Sequence, residues 1–411
     1  MASTTYSNQF VQPAGMKKWG MGLTGVGVLA LLAGVIFLAF SKDEHSQTRF
    51  WAVLLQNSVY FLLVVNAAMF FLCATTLAWA GWTQSFRRVA EAISVLVIPF
   101  GILCFIVLMG LVFGHQHHIY HWLDKEAVAA DKILSGKSGF LNPTFFTVWS
   151  IITIGGWMLL GRNMRRISRE ADDNPMSTEE GKKWIFKNTV HAAFFIILFA
   201  LTVTSSIPWL WLMSIDAHWY STMYSWYTFA SSFVAGMSLI ALFVIYLKNQ
   251  GHLPFTSEEH LHDLGKFMFA FSVFWTYLWF SQYMLIWYAN IPEETEYFKA
   301  RVWGEYRGLF LLNLVLNFLC PLLIFMKAGA KRNYTIVTFM AVLIIAGHWI
   351  DFYLMVMPGT MKEHAHLSWY ELGIAAGYVG MIVWLTGRAL EKAPLVPMHH
   401  PFLKESVIHH V

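Results

Sequence analysis

Apolar residues run through this chain in ten long blocks separated by shorter polar stretches. They lie near positions 19–40, 51–80, 89–113, 144–161, 185–213, 226–247, 266–289, 308–326, 335–357 and 369–387. A helix crossing a hydrocarbon core of about 30 Å needs roughly 20 residues, and each block is long enough. The pattern predicts an all-α polytopic membrane protein with about ten transmembrane helices. The second, fifth and seventh blocks are long and are expected to tilt or protrude. The seventh also differs in character. From His262 to Phe298 the sequence reads HDLGKFMFAFSVFWTYLWFSQYMLIWYANIPEETEYF. Asp263 and Lys266 open it, and Ser272, Tyr277, Ser281, Gln282, Tyr283 and Tyr288 interrupt it. Eleven residues are close to three helical turns, so Lys266, Tyr277, Ser281 and Tyr288 fall on one side. A polar stripe on a transmembrane helix is expected to face other helices rather than lipid.

Composition and charge agree with this reading. The chain is 57% hydrophobic and 13% charged, against roughly 25% charged in soluble domains. With a cytoplasmic N-terminus and ten crossings, 19 of the 28 Lys and Arg fall on the inside and 9 on the outside. The segment from Arg162 to Lys187 is the most basic, while Ser214 to Ser225 carries no Lys or Arg. That bias predicts that both termini are cytoplasmic. The net charge of +4 therefore reflects topology and does not imply nucleic-acid binding. Lys17 and Lys18 precede the first block without a convincing cleavage site, so it reads as a retained helix. Cys73, Cys104 and Cys320 lie within apolar blocks and form no CxxC pair, which argues against iron–sulfur, covalent haem and disulfide chemistry.

The whole chain, 1–411, reads as one integral membrane domain without long soluble segments. An Asn174-Pro175 turn, followed by Ser177 or Thr178 as a helix cap, is expected in the largest inner loop. The Pro-interrupted tail after Glu391 is expected to be extended, lying on a partner or the membrane surface. Its paired histidines, His399-His400 and His409-His410, read as adventitious.

Several polar groups within the blocks are candidates for chemistry. His348 and Asp351 are three apart and share a helix face. An Asp inside a bilayer costs roughly 2.5–3.5 kcal/mol on insertion scales, and a His–carboxylate pair can relay a proton near neutral pH. The competing reading is a polar clasp between helices. In the fifth block His191 and Thr202 share a side, with Ser205 and Ser206 following ahead of Pro208. These hydroxyls either extend a proton wire or satisfy backbone near the proline. Asp216 and His218 stand at its outer mouth. Asp263 and Lys266 begin the seventh block, where lysines also snorkel, and Tyr277 lies further along the same face. Asn313 and Asn317 are one turn apart in the eighth block and suit interhelical amide bonding. His115, His117, His118 and His121 cluster at the outer end of the third block. The His117–His121 spacing is metal-capable, but no nearby carboxylate or Cys completes a shell.

The His262–Phe298 segment and the motif GHWIDFYLMVMP in the ninth block resemble the NrfD/PsrC-like integral membrane subunits, such as those of bacterial alternative complex III, a quinol:cytochrome c oxidoreductase. The resemblance covers essentially all ten blocks. It implies two four-helix bundles, about 51–213 and about 226–357, flanked by helices at about 19–40 and 369–387. It implies a place in a bacterial inner membrane beside a paralogous membrane subunit, a multihaem cytochrome c, an iron–sulfur protein and smaller membrane and lipoprotein subunits. The chain itself would hold no redox cofactor, with haem c and iron–sulfur clusters in those partners and a quinol or quinone possible. Its implied contribution is a scaffold and a proton half-path, with Asp263, Lys266, Tyr277, His348 and Asp351 as the residues to carry over. Two other readings stay open: a secondary transporter of inverted repeats, and a haem b subunit using His191 and His348.

Overall fold

The computed structural model describes residues 8–172, 175–362, 364 and 366–410. Half of the expected Asn174-Pro175 turn lies outside the described residues. Helix is the regular structure throughout, and no strand forms among the described residues. The long helices in chain order are α1 (Ala14–Ala39), α2 (Glu44–Leu77), α3 (Arg87–Phe113), α4 (Pro143–Arg169), α5 (Thr178–Asp216), α6 (Met223–Asn249), α7 (Glu258–Ala289), α8 (Arg307–Phe325), α9 (Tyr334–Met361) and α10 (Trp369–Leu390). Among the described residues, nine of these are long and apolar enough to cross a membrane, and α7 is the one left out. Its 32 residues would span about 48 Å. Length is not what excludes it. Its body is interrupted by Trp, Tyr and Gln282, which lower its hydropathy.

The starts of these helices are written in the sequence. Asp43 caps α2 by accepting from the Ser46 amide at 3.0 Å. Asn142 accepts from the Phe145 amide at 2.8 Å, with Pro143 in the first turn of α4. Ser177 and Glu180 form a reciprocal capping box on α5, as Ser368 and Glu371 do on α10. Each cap satisfies amides that have no partner within the helix.

Burial separates central helices from peripheral ones. In their apolar cores α2 and α6 are 83% and 89% buried, whereas α1 is 17% buried. Apolar surface can face lipid, whereas polar side chains need protein around them, and α2 carries buried Gln56, Asn57 and Asn66 and α6 buried Thr228, Ser231 and Ser238. Accordingly α2 packs on α3, α5, α6 and α9, and α6 packs on α7 and α9 as well. The pairs α3–α4, α4–α5, α7–α8 and α8–α9 complete the surroundings, and α1 lies along α10.

The α1–α10 contact is built on small residues. A methyl placed on Gly377 would stand 2.7 Å from the Gly27 Cα, and one on Gly373 would stand 2.6 Å from the Ala30 Cβ. Backbones this close use dispersion where no hydrophobic force separates helix from lipid. The two chain ends are tied together at one end of this pair. The Leu395 amide donates to the Asn8 carbonyl at 2.9 Å, and the Val396 amide to Asn8 Oδ1 at 2.8 Å. The Gln12 amide donates to Glu391 Oε1 at 2.8 Å.

The tail differs from the expected extended strap. It folds back and ends in a short helix, Leu403–Val407, seated on the turn Gly81–Ser85. Ser406 Oγ is the anchor, donating to the Trp82 carbonyl at 2.6 Å and accepting from the Ser85 amide at 3.0 Å. The paired histidines are not adventitious either. His400 is buried edge-on to Trp184, with ring centroids 5.1 Å apart, and His409 Nε2 lies 2.7 Å from Asp263 Oδ2. Prolines blocked the expectation of local helix, but the tail's own apolar side chains, among them Leu395, Val396 and Leu403, still find cover.

Candidate functional site

Four helices converge on Asp351, which is 0% exposed. Its two oxygens accept four hydrogen bonds. Oδ1 takes the Tyr227 hydroxyl of α6 and the Asn313 amide of α8, the latter at 2.9 Å. Oδ2 takes the Trp275 indole N–H of α7 at 2.9 Å and the Ser231 hydroxyl of α6 at 2.8 Å. Asn317 Nδ2 supports this shell by donating to Asn313 Oδ1 at 2.6 Å. Around Asn317 α8 widens into a π-turn over Val315–Leu319, a distortion often found at functional sites.

His348, also fully buried, adds direction to the centre. Its Nδ1 is 3.8 Å from Asp351 Oδ2, too far for a direct hydrogen bond, and Ser231 Oγ bridges the gap at 2.9 Å from Nδ1. Ser231 has one proton and gives it to Asp351. The bond to His348 therefore has the imidazole Nδ1–H as donor, and in the neutral ring Nε2 is the acceptor. Among the described residues His348 Nε2 is buried without a partner, as are Asn317 Oδ1 on α8 and Ser272 Oγ and Gln282 Oε1 on α7. Unpaired buried polar atoms are rare and mark places for water or for chemistry. The arrangement can pass a proton in steps: onto Nε2, from Nδ1 to Ser231, and from Ser231 to Asp351.

On the far side of Asp351 the polar surroundings continue. Tyr227, Gln282, Tyr297, Arg301 and Asn313 share the lining of a cavity of about 10 Å³, close to the volume that holds one water. Arg301 comes from the helix Pro292–Val302 and is itself buried. Its presence follows from Pro358 inside α9. Proline has no N–H to give the carbonyl four residues back, and Arg301 Nε takes that place, donating to the Leu354 carbonyl at 2.8 Å. Arg301 also stacks over the Tyr297 ring at 3.4 Å and donates to the Tyr297 carbonyl at 2.6 Å. Toward the other end of α9 the buried positions are Gly347, Ile344, Ala341, Met340 and Val337, none of them polar.

The remaining expected residues fall elsewhere. Thr202 and Ser205 accept from the indoles of Trp157 and Trp149 at 3.0 and 3.3 Å, and Ser206 pairs with Thr153 at 2.6 Å. These bonds tie α5 to α4 rather than forming a wire with His191, which is half-buried with Nδ1 2.8 Å from the Lys187 carbonyl. Asp216 ends α5 beside Gly359 of α9, where a methyl would stand 2.9 Å from each carboxylate oxygen. His218 is exposed and pairs with Asp131 at 2.5 Å. That bond, with the capping amides of Ile133 and Leu134, holds the Asp131 carboxyl below its usual range. Asp263 is buried between Lys266, at 2.5 Å, and His409. Among the described residues no group of three or more His, Cys, Asp and Glu is placed to hold a metal. In the histidine cluster His115–His121, His118 pairs with Glu44 at 2.7 Å.

The tyrosine stripe of α7 has the opposite orientation to the one expected. Tyr277 and Tyr288 are 61% and 84% exposed, while Met268, Ser272, Trp275, Gln282 and Ile286 are buried. An eleven-residue spacing shows which residues share a side, but not which side turns inward. The inward side is nearly as polar as the outward one.

Three members of the Asp351 shell were not singled out from the sequence: Tyr227, Ser231 and Trp275. Tyr227 and Ser231 are four apart and so share a face. Trp275 sits mid-helix, away from the interfacial level where tryptophans collect, and a buried indole N–H needs an acceptor.

Comparison with protein-family models finds no match, and neither does comparison with curated proteins.

Proposed function

We propose that this chain is a proton-conducting membrane subunit of a quinol:cytochrome c oxidoreductase of the NrfD/PsrC-like type. The observation that carries the proton role is the His348–Ser231–Asp351 chain, buried at 0% exposure and ordered donor to acceptor in one direction. Ionisable groups inside a membrane are costly and are kept mainly for transport or relay. The path is a half-path. Beyond Asp351 it continues through Tyr227, Asn313 and the small cavity to Arg301, and on the His348 side the buried face of α9 turns apolar. The redox steps belong to partners: a multihaem cytochrome c, an iron–sulfur protein and a paralogous membrane subunit. This chain acts as a scaffold without a redox cofactor of its own.

Ten crossings in a bacterial inner membrane, with both termini cytoplasmic, fit this role. Parity supports the count. The bonded chain ends make α1 and α10 antiparallel, and an even number of crossings, with α7 added to the other nine, fits that arrangement. The reading of two four-helix bundles, α2 to α5 and α6 to α9, is supported by the ring of neighbours within each set.

The test is Asp351→Asn in the purified complex rebuilt into proteoliposomes, following quinol-driven cytochrome c reduction together with proton movement. Electron transfer is expected to persist while proton movement falls at least tenfold. If both rates match the unmodified complex, Asp351 is a helix clasp and the proton role is wrong.

A further inference from the structure

A second cavity, of about 440 Å³, opens between α3, α4 and α10 at the basic end of α4. Five cations stand around it: Arg162, Arg165 and Arg169 on α4, Arg388 on α10, and Lys392 just beyond. Among the described residues none of the five makes an ion pair. Arg165 is fixed by neutral acceptors, the Glu91 and Ala389 carbonyls at 3.1 and 3.0 Å, so its position is set without an ion pair. Arg169 is likewise held by the Lys392 carbonyl. The floor is apolar, with Val97, Met158 and Leu385. From Ile98, which lines the cavity, an exposed apolar strip runs along α3 through Ile102 and Ile106, 49% and 61% exposed. At 1.5 Å per residue that strip is about 12 Å long.

We propose that this cavity binds an anionic phospholipid, with its phosphate among the five cations and an acyl chain along Ile98, Ile102 and Ile106. A basic hollow between transmembrane helices recognises an acidic headgroup by charge. The apolar floor and strip are what distinguish a lipid from a free anion, which would use the rim alone. Ordinary basic flanking residues would point into water and need no cavity. The proposal does not depend on the proton role.

Native mass spectrometry of the full chain in detergent tests it, with dioleoyl phosphatidylglycerol or dioleoyl phosphatidylcholine added. Retention of phosphatidylglycerol over phosphatidylcholine is expected. A basic residue near an anionic lipid contributes enough to change binding about fivefold, so Arg162→Gln with Arg388→Gln should lower retention roughly 30-fold. Arg162→Lys with Arg388→Lys should retain the lipid and shows that the fold tolerates change there. Arg166→Gln, an exposed neighbour on α4 outside the lining, should have no effect. Equal retention of both lipids overturns the proposal, as does a loss with Arg166→Gln equal to that of the double variant. Displacement of phosphatidylglycerol by millimolar inorganic phosphate also overturns it, in favour of a free-anion site.

Discussion

Ser231 is the residue on which the proposed relay turns. It is not ionisable, yet it closes the 3.8 Å separation between His348 and Asp351. Ser231→Ala leaves Asp351 with three donors and leaves the His348 Nδ1–H unpaired. A buried donor without a partner costs about 1–3 kcal/mol, which a protein with this much buried surface should survive. Proton movement in proteoliposomes is expected to fall at least tenfold, with quinol-driven electron transfer retained. Unchanged proton movement would mean that the proton does not pass through the hydroxyl. Much of this centre was legible from the sequence at His348 and Asp351, because titratable groups in an apolar run stand out. Tyr227 and Ser231 did not, since hydroxyls are common in transmembrane helices and their cost is small when bonded.

At the scale of the helix, α9 shows how one backbone defect recruits a distant side chain. Pro358 strips the Leu354 carbonyl of its usual donor, and Arg301 replaces it. Removing Arg301 alone should therefore cost more than removing it where the proline is also gone. Arg301→Ala is expected to lower stability by about 1–3 kcal/mol for the unpaired carbonyl. Adding Pro358→Ala should recover part of that loss, because the restored N–H reaches the same oxygen. A thermal-unfolding double-mutant cycle measures the coupling, and purely additive losses would separate the two residues. Pro358 closes the ninth-block motif GHWIDFYLMVMP, and Arg301 lies in the segment before the eighth block. The sequence did not show their meeting, because nothing local links residues so far apart. The reversed face of α7 has a related cause: periodicity is a property of one helix, whereas inward and outward belong to the assembly of several.

For the whole molecule, the tail acts as a latch across one end of the helices. His400 is buried against Trp184, and burial beside Arg87 and Arg88 pushes its pKa down to about 3. An unfolded histidine titrates near 6.5, so the released tail binds a proton that the docked tail rejects. Docking is then strongest above about pH 6.5 and weakens steadily as pH falls toward 3. Amide exchange in residues 395–408 should accelerate between pH 7.5 and 5 beyond the intrinsic chemical change, and His400→Phe should flatten that excess. Equal protection at both pH values, after that correction, would remove His400 as the cause. The helical architecture was readable from hydrophobic runs and caps. The latch was not, because prolines suggest an extended chain whether or not it docks.

The glycine-lined seam between α1 and α10 has a consequence for how the protein is made. Helix α1 finds its partner only when α10 has been synthesised, roughly 330 residues later, which at about 5–20 residues per second is tens of seconds. During that interval α1 must wait as a lone hydrophobic rod with its small-residue groove open to lipid. Its mostly apolar, outward-facing surface suits that wait, and the arrival of α10 then fastens the beginning of the chain to its end.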